Sequence, residues 1–68
     1  MPFVTVKILE GHCVERKRQM VTEITESLAR IAQIPEDYVQ VVIEDVPREN
    51  WGSHKRLMCD PEPQEENV

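Results

Sequence analysis

Apolar and polar residues alternate along Phe3-Val4-Thr5-Val6-Lys7-Ile8-Leu9, which predicts a strand with Val4, Val6 and Ile8 on one face and Phe3, Thr5, Lys7 and Leu9 on the other. The first face reads as a core face. The second mixes apolar and polar residues, as expected beside a pocket or a subunit contact. Glu10-Gly11 ends the strand, with glycine placed where a turn would be obstructed by a side chain. From about Val14 to Gln33 the spacing changes: Met20, Val21, Ile24, Leu28, Ile31 and Ala32 recur at three and four residues, with Glu15, Arg16, Lys17, Arg18, Glu23, Glu26 and Arg30 mostly between them. That is an amphipathic helix. Glu26 precedes Arg30 by four residues, the favourable sense for a helical pair, and Pro35 stops the helix. After Pro35-Glu36-Asp37, the run from Tyr38 to Glu44 alternates again, with Val39, Val41 and Ile43 on one side and Tyr38, Gln40, Val42 and Glu44 on the other. It predicts a second strand.

A strand, one long helix and a second strand make an α+β protomer of the βαβ kind, with parallel strands and a right-handed crossover. Such a unit leaves sheet edges and one sheet face uncovered, and Pro47 to Arg56, a loop or short hairpin, is too polar to close the core alone. The expectation is therefore a sheet completed by dimerisation. Length points the same way. The chain has 68 residues, and a domain of roughly 60 residues buries only about 60% of the surface its unfolded chain exposes. Two cysteines allow at most one disulfide, no signal-peptide pattern opens the chain, and no apolar run approaches a membrane span, so a cytoplasmic chain with reduced thiols is expected.

Charge changes the picture little. Eight Lys and Arg oppose 13 Asp and Glu, a formal net charge of −5. Four of the acids (Asp60, Glu62, Glu65, Glu66) lie in the base-free segment from Leu57 to Val68, which also holds Pro61 and Pro63. Residues 57–68 therefore read as an acidic, disordered, solubilising tail on a domain spanning residues 2–56. The one basic cluster, Arg16-Lys17-Arg18, spreads around a helix and adjoins Glu15, so it reads as a solvated face; neither nucleic acid nor membrane is expected as a partner.

Candidate chemistry centres on Pro2. Methionine before a small residue is normally trimmed, leaving proline as the first residue, a secondary amine attached to the strand. A free α-amino group titrates near 8 in peptides, and desolvation or neighbouring cations lower that value, so a fraction is a neutral base at physiological pH. It can move protons or attack a carbonyl.

Pro2, the apolar strand, Leu9-Glu10-Gly11, a helix of this length, the second strand and the pair Trp51-Gly52 together resemble the 4-oxalocrotonate tautomerases, the short members of the tautomerase superfamily. The resemblance runs from Pro2 to about Arg56. It implies a βαβ protomer that dimerises into a shared sheet and assembles as a trimer of dimers, with no cofactor and no metal. It implies that the amino-terminal proline, here Pro2, acts as general base and acid in enol-to-keto proton transfer on a small unsaturated keto or enol acid. Leu9 and Trp51 would wall the pocket. Where typical relatives place two substrate-binding arginines, this chain has His12 and Gln40. Neither neutral side chain reproduces the forked hydrogen bonds of a guanidinium on a carboxylate, so a dicarboxylate substrate is not expected. His12 can supply a donor and Gln40 an amide hydrogen to a carbonyl oxygen. With fewer cations nearby, the Pro2 amine is expected to titrate higher than in arginine-bearing relatives, unless Lys7, Arg48, Lys55 or Arg56 of a neighbouring subunit takes over.

Two other readings stay open. The chain could be a degraded or supporting subunit of a mixed oligomer with a homologous, arginine-bearing chain, rather than a homohexamer. Alternatively, Pro2 could serve a hydratase or dehalogenase acting on an unsaturated acid, which in related proteins needs a further acid; Glu44, Asp45 and Glu49 are the candidates. His12, Cys13, His54 and Cys59 carry metal-ligand chemistry, but one pair is adjacent and the other separated by four residues, which does not match a zinc knuckle. Cys13 at the helix start is a candidate reactive thiol.

Overall fold

The computed structural model describes residues 1–61 and contains the expected βαβ unit. Strand β1 spans Phe3–Leu9, helix α1 Val14–Ala32 and strand β2 Gln40–Val46. The two strands are parallel and in register from Phe3 opposite Gln40 to Leu9 opposite Val46. A short antiparallel hairpin follows, β3 (Gly52–Ser53) with β4 (Arg56–Leu57). His54 and Lys55 at its tip both take positive φ, 55° and 65°. That is the backbone sense by which a two-residue connection matches the twist of its strands.

Gly11 permits the sharp departure from β1. Its φ is +116°, while a Cβ built there would meet nothing within 4 Å. The backbone angle, rather than crowding, is what asks for glycine. Cys13 is the N-cap of α1. The other end closes on Gln33, which turns left-handed at φ 58° and ψ 50°, and the N–H groups of Gln33 and Ile34 both donate to the Ala29 carbonyl. The chain thus leaves the helix in an αL cap before Pro35 is reached.

The second strand is displaced from its expected limits. Tyr38 and Val39 are outside it, because Pro35 opens a 3-10 turn over Glu36–Tyr38 in which the Tyr38 N–H donates to the Pro35 carbonyl and the Val39 N–H to that of Glu36. Those amides are therefore unavailable to a ladder. The strand instead continues through Asp45 and Val46.

The helix lies over one sheet face, and half-buried Val4, Val6, Ile8, Val41 and Ile43 meet half-buried Val21, Ile24 and Leu28 there. Ala29, absent from the expected apolar stripe, is the one buried side chain among the described residues, 5% exposed. Ile31 and Ala32, which that stripe included, are exposed, Ile31 at 72%. Successive residues turn about 100°. Ile31 accordingly joins Met20 and Ile24 on the helix flank overhanging the free edge of β1, whereas Ala32 ends the helix. Lys17 ties α1 to β2 through Asp45 at 2.5 Å. Because Ala29 is 5% exposed, Ala29→Leu is expected to overpack its surroundings and cost about 1–3 kcal/mol. Urea unfolding at fixed protein concentration would show this as a lower midpoint, and an unchanged midpoint would mean that the contact has slack.

The opposite sheet face is bare. Phe3 is 62% and Val42 40% exposed, and Lys7 stands opposite Glu44 between the strands. With one buried side chain among the described residues, a lone copy cannot balance the conformational entropy of its own folding. The expectation of a partner copy thus has a packing basis. Leu57 lies in β4, its N–H bonded to Asp60 Oδ2 and its carbonyl to the Asp60 N–H. Most of the expected acidic tail, from Glu62 onward, is outside the described residues.

Candidate active site

Pro2 sits at the entry of β1, half-buried. Its carbonyl accepts the Gln40 N–H at 3.1 Å, the first rung joining β1 and β2. Met1 before it is 82% exposed. Trimming Met1 would therefore remove almost no packing and leave the proline nitrogen on an anchored residue.

Five residues were candidates for the site: Pro2, Leu9, His12, Gln40 and Trp51. The structure sorts them into two groups. Pro2 and Gln40 share one end of the sheet. Leu9 closes the other end of β1, and a seven-residue strand places those ends roughly 20 Å apart. His12 follows Gly11 at the Leu9 end.

Trp51 is tied to that same end through Glu10. The Glu10 N–H donates to the Val46 carbonyl, and Glu10 Oε2 accepts the Arg48 N–H at 3.2 Å. This carboxylate fixes the start of the 3-10 turn Arg48–Asn50, and the Trp51 N–H in turn donates to the Arg48 carbonyl. The Trp51 carbonyl then accepts from Met58, locking the hairpin beneath it. Leu9-Glu10-Gly11 thus ends a strand and also positions the half-buried indole.

His12 opens a groove of about 430 Å³ along the helix flank, lined further by Arg16, Gln19, Met20, Glu23 and Ile24. A second, more apolar depression of about 460 Å³ shares Glu23 and Ile24 with it and continues past Ser27, Leu28 and Ile31 to Val4. Together they run along the free edge of β1, from the His12 end toward the Pro2 end. Arg16 escaped the sequence reading because it lies in a run of three cations. Its spacing of four residues from His12 was the available signal.

Other candidates fall outside this arrangement. Asp45 is held by Lys17 on the helix side of the sheet. Glu44 lies on the bare face opposite Lys7, and Glu49 is exposed in the 3-10 turn. His54 Nδ1 pairs with Ser53 Oγ at 2.9 Å in the hairpin. Among the described residues, no three of His, Cys, Asp and Glu converge as a metal site would require, and no helix is long and apolar enough to cross a membrane.

The thiol of Cys13 is held below its ordinary pKa. The leading cause is the backbone N–H of Arg16, supported by that of Glu15 and by the Arg16 charge, against a smaller desolvation effect. No capping hydrogen bond is closed, so these helix-start dipoles act without a formed bond. A lowered pKa means more thiolate at a given pH. Alkylation of Cys13 by iodoacetamide should therefore reach half its maximal rate at a lower pH in the folded chain than in the urea-unfolded one. An equal or higher midpoint in the folded chain would contradict the assignment.

The family model described as tautomerase enzyme matches residues 2–57. A probable tautomerase of Streptococcus pyogenes serotype M3 is 45% identical over 47 residues, covering 69% of this chain and 77% of its own length. The 2-hydroxymuconate tautomerase of Comamonas testosteroni is 40% identical over 52 residues, covering 76% and 82%. Among solved structures, a 4-oxalocrotonate tautomerase isozyme from Methylibium petroleiphilum superposes with a TM-score of 0.81 at 33% identity, over 84% of this chain and 92% of that one.

Proposed function

The chain belongs to the tautomerase family, as one of its 4-oxalocrotonate tautomerase members, and from that premise we propose that Pro2 is the base that carries the proton. The supporting observation is its setting: an exposed Met1 outside the fold and a Pro2 carbonyl pinned by the Gln40 N–H. Once Met1 is removed, the neutral secondary amine takes the hydroxyl proton of an enol acid. The oxygen's electrons form the carbonyl, and the carbon–carbon double bond's electrons accept the proton back from the ammonium at the adjacent carbon. No atom is lost and the amine is regenerated.

The substrate is a small enol or keto acid, and the pocket is shared between copies. Pro2 and His12 of one chain are too far apart to meet on one small molecule. A two-fold axis normal to the sheet, pairing β1 edge to edge with a second β1, runs the strands in opposite directions. It sets Pro2 of one copy beside Leu9, His12 and Trp51 of the other and covers the apolar groove at that edge. The bare face around Phe3 and Val42 is left for further assembly, consistent with a trimer of such dimers in the cytoplasm. Gln40, beside its own Pro2, offers an amide hydrogen to the substrate's oxygen.

Replacement of both expected arginines by His12 and Gln40 favours a second reading, a supporting subunit that needs an arginine-bearing homologue. Ketonisation of phenylenolpyruvate by the purified chain alone decides between them. Turnover that depends on a free Pro2 amine supports the first reading, and turnover only after mixing with a homologue supports the second.

A further inference from the structure

The β3–β4 hairpin carries a depression of about 380 Å³, lined by residues 52–57 and by Asp60. None of these residues belongs to the β1 edge, the α1 flank or the bare sheet face that the proposed assembly covers. Its tip is fixed by the positive φ of His54 and Lys55, and its neutral polar groups pair with each other, Ser53 Oγ with His54 Nδ1. Its two permanent cations do not. Lys55 and Arg56 make no ion pair among the described residues, although Arg56 is half-buried. Asp60, the one carboxylate of the lining, accepts the Leu57 N–H at 3.0 Å. The depression is therefore left positive.

The chain passes out of the described residues at the same place. Asp60 is bonded to Leu57 in both directions, Pro61 follows, and Glu62, Glu65 and Glu66 come next with no base among them. Asp60 to Glu66 is six residues, a reach of about 20 Å at full extension. All three carboxylates can thus arrive at Lys55 and Arg56. The tether holds them near the hairpin at a local concentration on the order of millimolar. Pro61 and Pro63 lower the entropy lost when such a segment is ordered. The segment lies beyond residue 57, where the tautomerase match ends.

We propose that the acidic segment after Pro61 docks on the hairpin of its own chain, its carboxylates pairing with Lys55 and Arg56. The contact straps the hairpin from outside, on the element whose Met58 N–H is bonded to the Trp51 carbonyl. It is independent of the proton-transfer reading, and its test needs no substrate.

Acetylation of Lys55 by an N-hydroxysuccinimide ester, mapped by peptide mass in the full-length protein at low salt, tests the docking. A paired ammonium is shielded from the reagent. Replacing Glu62, Glu65 and Glu66 together by Gln should therefore speed acetylation of Lys55 several-fold and leave Lys17, bound to Asp45, unchanged. Sodium chloride at about 1 M, where the Debye length is about 3 Å, should speed it in the native chain too. If Lys55 reacts slowly in both chains, a neighbouring copy covers the hairpin; if it reacts rapidly in both, nothing does. Either result overturns the proposal. Lys55→Gln with Arg56→Gln tests the contact from the other side, since glutamyl endopeptidase should then cut after Glu65 or Glu66 several-fold faster; unchanged cleavage would also overturn it. Carbodiimide cross-links from Lys55 to Glu65 or Glu66, in assemblies mixed from unlabelled and isotope-labelled chains, should join peptides of the same label. Links between unlike labels would assign the segment to a neighbour's hairpin and overturn docking within one chain.

Discussion

Inserting a lysine between Met1 and Pro2 is expected to lower the ketonisation rate by about 10²-fold or more, the usual contribution of a positioned general base. A long side chain in second position blocks methionine removal, and the Pro2 nitrogen remains an amide with no basic lone pair. The added residue lies outside the first rung of the sheet, next to an 82% exposed Met1. Folding and assembly should therefore be unaffected, which circular dichroism and sedimentation would confirm. Pro2→Ala is the informative contrast. It is still trimmed and leaves a primary amine of similar basicity, losing the ring that holds the nitrogen in place, so its loss should be smaller than that of the blocked chain. If the blocked chain turned over as fast as the native one, the proton would have to travel by another group.

Two inactive variants are expected to restore each other when co-expressed. The first is the blocked chain, disabled at the Pro2 end; the second carries Trp51→Ala with His12→Ala, disabled at the other end. The ends are roughly 20 Å apart within one protomer, so in the proposed assembly each pocket would draw Pro2 from one copy and the indole and His12 from another. Random mixing makes about one pocket in four intact in both parts, and activity should return to about a quarter of the native value. Separately purified variants mixed without subunit exchange should remain inactive. Failure to recover activity in verified mixed assemblies would place both parts of the pocket in one chain.

How much of this was legible in the sequence depends on the element. Strand β1 was readable to its last residue because strict alternation ends at Glu10-Gly11. Strand β2 was displaced because Pro35 organises its own hydrogen-bonded turn, which absorbs Tyr38 and Val39 before the ladder begins. Ala29 was overlooked because a methyl group contributes little to an apolar pattern, yet it is the one buried hydrophobic side chain among the described residues. Ile31 was assigned inward because spacing shows only that residues share a side of the helix. It does not distinguish the side over the protomer's own sheet from the flank over a neighbour's.

The candidate site was readable as a set of residue types but not as a place. Pro2, Leu9, His12, Gln40 and Trp51 follow from the motif resemblance, but only the register from Phe3 to Leu9 shows that they occupy opposite ends of a strand. The partners within the basic run were hidden, Asp45 for Lys17 and Glu15 for Arg18. Side-chain pairing of that kind becomes visible only when the helix is docked.

If a free Pro2 amine performs the proton transfer, the intact mass of purified, fully active protein must show that amine. The expected mass is short by one methionine residue, with Pro2 first. A preparation that retained Met1 throughout and still converted phenylenolpyruvate at the full rate would contradict it.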